Sequence, residues 1–123
     1  MPVLDHPPRP THEIPGATFT TLASPSRGTS GGCVWRLHLE PGEPPNPHRL
    51  THEEIFVVTA GQARGLIGDE PFVVGEGQTL VVPADVEFEI SATGDGFDAL
   101  VYFPVGGKGI IGDGEPFTPP WAL

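Results

Sequence analysis

The sequence predicts an all-β protein of one domain, and three observations carry that reading. Its 17 glycines and 16 prolines fall between short apolar runs instead of gathering in tracts, which is how a protein of many turns spaces its breakers. The runs between them are rich in β-branched and aromatic residues. No window of helical length keeps a 3.6-residue apolar period without a breaker inside it. At 123 residues the chain suits one domain with a modest core and is too short for two of ordinary size.

Taken from the N-terminus, residues 1–15 are proline-rich and polar, so they predict an extended arm lying on the body or on a second subunit. The barrel-forming part is expected over 16–105, with strands at 17–22, 33–39, 54–60, 63–67, 71–74, 79–83, 86–91 and 98–104. Turn chemistry separates nearly all of them: Ser24 to Gly28, Pro41-Gly42, Ala60-Gly61, Gly68-Asp69, Gly75 to Gly77 and Thr93 to Gly96 supply a preset φ or tolerate a positive one. Within 33–39 the alternation puts Trp35, Leu37 and Leu39 on one face and Arg36 and His38 on the other. Strands at this spacing make a sandwich, a jelly roll or a small barrel. Residues 106–123 form an extended tail, whose Phe117 and Trp121 need a surface to bury against, on this subunit or a neighbour.

Charge narrows the partners. Six basic against 16 acidic residues give a formal net charge of -10, which repels phosphate backbones and anionic lipid heads, so neither nucleic acid nor a membrane is expected. Cys33 stands alone, so it forms no internal disulfide and no cysteine-based zinc site, and a small buried role is expected. The opening residues show neither a basic start nor an apolar stretch, and no run is long enough to span a bilayer, so a cytoplasmic protein is expected. Gly28-Thr29-Ser30-Gly31-Gly32 has the spacing of a nucleophile elbow, but a strand follows it where a helix is required. Gly106-Gly107-Lys108-Gly109 lacks the hydroxyl residue and leading spacing of a phosphate loop.

The stretch from Gly42 to Gly61 carries the most chemistry. It sets His48, His52, Glu53 and Glu54 at the mouth of a strongly β-forming run. The spacing Gly42, His48, Glu54, Gly61 resembles the first motif of the cupin superfamily, in which a second histidine stands where Leu50 is here. Gly77 and Pro83 fit the start of the second cupin motif, whereas Asp85, Phe88 and Ala92 occupy its later positions. The resemblance covers roughly residues 34–104 and implies a double-stranded β-helix, that is, a jelly-roll barrel, with Gly42, Gly61, Gly77 and Pro83 as structural turns.

In metal-binding cupins three histidines and a glutamate hold Fe, Mn, Ni, Zn or a similar ion. Carried over, the resemblance keeps His48 and Glu54 and loses two histidines, to Leu50 and Phe88. His52 has the strand parity of His48 and Glu54 and could complete a set of two histidines and one carboxylate, provided the chain bends between positions 48 and 54. Two readings stay open: one divalent ion held by His48, Glu54 and His52, or no metal, with these residues as polar groups at a loop-to-strand junction. Leu50, Phe88 and Phe56 are expected to line an apolar pocket or a filled core.

Three functions follow. One is a divalent-metal-dependent enzyme of oxygenase, isomerase or lyase type acting on a small organic molecule, with Glu53 free to move protons. The second is a metal-free module that binds a small molecule without chemistry. The third is a structural homodimer, the dimer being common among cupins and the arm and tail being suited to cover strand edges.

Overall fold

The computed structural model of the protein describes residues 3–123; Met1 and Pro2, the first residues of the predicted arm, lie outside the described residues. The described residues form nine strands: β1 (His12–Ile14), β2 (Ala17–Ala23), β3 (Gly32–Leu39), β4 (Arg49–Leu50), β5 (Glu54–Ile67), β6 (Glu70–Gly75), β7 (Thr79–Val82), β8 (Phe88–Pro104) and β9 (Gly109–Ile110). One sheet runs β1-β2-β3-β8-β5-β6, with β7 also paired to β5, and β4 pairs β9 apart from it. Every ladder between named strands is antiparallel.

β5 and β8 form the spine. They stay paired from Ile55↔Tyr102 to Ile67↔Phe88. On its other side β5 meets β7 through Glu54–Val57 and β6 through Gln62–Ile67. Two expected breaks are therefore corrected: 54–60 and 63–67 are one strand, the strands expected at 86–91 and 98–104 merge into β8 from Phe88 onward, and the glycines between them bend the wall without interrupting it. The ladder shifts register between Val58 and Ala60 and again between Gly61 and Gln62, and such bulges curl a sheet towards closure. Gly61 has φ +74°, and a Cβ there would sit 2.1 Å from the Gly96 carbonyl oxygen, so only a bare backbone lets the two strands kink together. Gly42 and Gly77 also take positive φ, +92° and +83°, and Pro83 directly follows β7.

Alternation explains the core. On β3, Cys33, Trp35 and Leu37 are buried while Arg36 is exposed, and Leu39 packs against the same cluster. On β5, Glu54, Phe56 and Val58 point in and Val57 points out. Phe88, Phe97, Val101 and Phe103 of β8 complete the cluster. The last part of the chain packs onto the same subunit: Trp121 stacks on Phe19 with ring centroids 3.6 Å apart and planes 5° from parallel, and meets Trp35 edge-on at 6.4 Å. Residues 12–14 lie on the body too, as β1, which extends the sheet beside β2. The short strands β1, β4 and β9 carry little composition signal, because each is made by its partner and not by its own residues.

Candidate functional site

A cavity of about 200 Å³ opens inside the barrel. Its walls come from β2 and β3 (Phe19, Trp35, Leu37), from the β4–β5 region (His48, Leu50, Glu54, Phe56), from the start of β8 (Phe88, Ile90) and from the tail (Phe117, Trp121). Glu40, Glu43 and Asn46, all exposed, line it from the rim. For scale, a dry cavity of about 150 Å³ accepts benzene.

The bend that brings His48 and Glu54 to one space is local and readable. His48 and Phe88 form a bridge, with the His48 amide donating to the Phe88 carbonyl at 3.0 Å and the Phe88 amide donating back at 2.8 Å. Directly paired residues project to one side, and the two rings lie 4.4 Å apart. Two residues on, Leu50 also points in. Thr51 then turns the chain: its amide donates to the Lys108 carbonyl at 2.9 Å, and its Oγ1 accepts from the Lys108 amide at 2.8 Å. β5 starts after this turn with Glu54 facing inward opposite Val82.

The structure thus places His48, Leu50, Glu54, Phe56 and Phe88 around one cavity. His52 is elsewhere: it is exposed on the turn, with Nδ1 2.8 Å from Thr51 Oγ1, and does not line the cavity. Glu53 is exposed as well. Sequence reasoning missed Phe19, Trp35, Phe117 and Trp121 as lining residues. The inward face of β3 was a usable signal for Trp35, but the meeting of the tail with Phe19 has no signature in spacing.

The polar groups of the cavity have unusual surroundings. Glu54 is only 7% exposed, and burial pushes its carboxyl up to about 8, with no cation or hydrogen-bond donor of the described residues to oppose the shift. It is therefore mostly protonated at neutral pH. His48 Nδ1 lies 2.8 Å from the Asn46 carbonyl oxygen. A carbonyl only accepts, so Nδ1 carries the proton and Nε2 keeps its lone pair in the neutral ring. Burial holds the His48 pKa below its ordinary value, against the opposing pull of that hydrogen bond and of Glu87.

The donor set does not fit a resident cupin-type metal ion. A catalytic site needs about three protein ligands and an open position. Here the positions of two of the expected histidines are filled by Leu50, 3% exposed, and Phe88, 2% exposed. Among the described residues no three His, Cys, Asp or Glu side chains gather as an ion would require. His48 and Glu54 alone remain.

The other histidine with acidic neighbours is structural in character. His38, on the outward face of β3, sets Nδ1 2.8 Å from Asp98 Oδ1 and Nε2 2.8 Å from Glu40 Oε1. Both partners are acceptors and favour the doubly protonated ring, so its pKa is raised, first by the Asp98 hydrogen bond and then by that of Glu40.

The cupin domain family model matches residues 35–105, over half of the chain and over the whole of β5 to β8. The chain belongs to the cupins. KdgF from Halomonas sp. superposes with a TM-score of 0.68 at 18% identity, over 78% of this chain and 84% of that one. A cupin 2 conserved barrel domain protein from Leptotrichia buccalis gives 0.63 at 18% identity, over 76% and 43%. A salicylate 1,2-dioxygenase from Pseudaminobacter salicylatoxidans gives 0.69 at 18% identity, over 84% of this chain and 32% of that one. At these identities the likeness is one of fold. No curated protein matches the chain. Among the described residues no helix is long and apolar enough to cross a membrane.

Proposed function

We propose that this cupin binds a small, largely apolar organic molecule of about one ring inside the barrel, without a resident metal ion. The observation that carries the reading is Glu54: a buried carboxyl that reaches an aromatic-walled cavity and finds no partner among the described residues. Buried polar groups are ordinarily paired, and a few convergent polar groups in an apolar hollow mark ligand sites. The apolar wall would supply affinity by desolvation. Glu54 and the bare Nε2 of His48 would orient the guest.

The test uses protein purified without a histidine tag. Metal content per chain is measured, and melting temperature is followed in EDTA with a panel of one-ring compounds, since a guest that binds only the folded state raises it. Upward shifts in EDTA are expected, reduced in Trp35→Ala. About one metal ion per chain, lost in His48→Ala, would overturn the proposal, as would a panel without any shift.

A further inference from the structure

The charge of the guest is legible from what the cavity wall lacks. Among the described residues neither lysine nor arginine lines it, and its carboxyl groups are those of Glu40, Glu43 and Glu54. Glu40 and Glu43 stand exposed at the rim, where with the net charge of -10 they favour approach of a cation and oppose that of an anion. Deeper in, six aromatic side chains, Phe19, Trp35, Phe56, Phe88, Phe117 and Trp121, line the same space. Aromatic rings are the apolar surface that attracts a cation.

Glu54 then has a partner by elimination. The described protein residues bring it no cation and no hydrogen-bond donor, although it is more than nine-tenths buried. A carboxylate guest would set its charge against those of Glu40 and Glu43 and could be met by Glu54 only if that carboxyl kept its proton. A neutral alcohol would satisfy one hydrogen bond and leave the carboxyl un-ionised. An ammonium group would supply both a charge for Glu54 and further N–H donors, one of which suits the lone pair on His48 Nε2.

Resting on the small-molecule reading above, we propose that the guest is a small organic monocation, a protonated amine on a compact apolar body, whose ammonium group pairs with Glu54 and donates to His48 Nε2. Binding moves one proton: the Glu54 carboxyl releases it to solvent as the ion pair forms, and no other bond is made or broken.

The experiment compares three one-ring probes of nearly equal size, benzylammonium, benzyl alcohol and benzoate, by calorimetric titration at low salt and pH 7 in EDTA. Benzylammonium should bind at least about tenfold more tightly than benzyl alcohol, the usual worth of a charged hydrogen bond, and benzoate most weakly. Glu54→Gln should lower benzylammonium affinity about tenfold while benzyl alcohol stays within about threefold, at the lower worth of a neutral hydrogen bond. The wild-type ranking stands even if the variant fails to fold, which its thermal melt reveals. Benzyl alcohol matching or exceeding benzylammonium in the wild type, or Glu54→Gln holding benzylammonium undiminished, overturns the cation proposal and leaves the cavity reading intact. Binding by none of the three overturns both.

Discussion

Replacing Glu54 by glutamine keeps the shape of the side chain and removes only its ability to ionise, so the variant isolates what that proton is worth. In the unfolded chain the carboxyl has its ordinary value of 4.5, and in the fold it sits at about 8. Between those values the unfolded chain has lost a proton that the folded one retains. Stability contributed by the protonated acid is therefore complete below about pH 4.5 and falls as pH rises towards 8. At about 1.4 kcal/mol per unit, the loss reaches roughly 3 kcal/mol at pH 7 and approaches about 5 kcal/mol by pH 9. Urea denaturation of wild type and Glu54→Gln across pH 4.5–9 measures it, because the other titrating groups are common to both proteins. The two should differ least near pH 4.5, with the variant gaining relative to wild type at each higher pH. Parallel curves would refute the reasoning, since they would mean that Glu54 ionises in the fold as easily as in water.

Other expectations follow from the same geometry. Gly61→Ala should cost about 2–4 kcal/mol in urea unfolding, combining a left-handed φ with a Cβ driven against the Gly96 carbonyl; a loss under about 0.5 kcal/mol, the size of an ordinary surface change, would deny the paired kink. The double variant Leu50→His/Phe88→His should take up close to one divalent ion per chain by mass spectrometry where wild type takes up little, because it restores two donors beside His48 and Glu54; no uptake would mean that these four positions do not converge. Asp98→Asn should bring the His38 pKa down towards its ordinary range, read from ring resonances by NMR. In the wild type the stability from this ion pair is present below pH 6.5 and fades as pH passes the raised folded value, with a small amplitude because the group is partly exposed.

What the sequence made legible is unequal. Alternation on 33–39 and the run of turns were enough for the all-β class, because periodicity and turn chemistry are local properties, and the barrel came from the resemblance of Gly42, His48, Glu54 and Gly61 to a cupin motif. The same locality misled at Ala60-Gly61 and at Thr93 to Gly96. A glycine that ends a strand and one that bends it look alike until Gly61 is seen against Gly96. In the site, strand parity grouped His52 with His48 and Glu54. Thr51, pinned to Lys108 from 57 residues away, turns the chain and leaves His52 outside. The partnerless state of Glu54 and the approach of Trp121 to Phe19 depend on which distant residues arrive, and no spacing records that.

The unbroken course of β5 and β8 has a mechanical consequence. Each strand runs through both halves of the main sheet, so loosening either half strains the same two strands. The amides shared by these two strands should therefore exchange with a common, maximal protection, reached only when the main sheet opens as a whole.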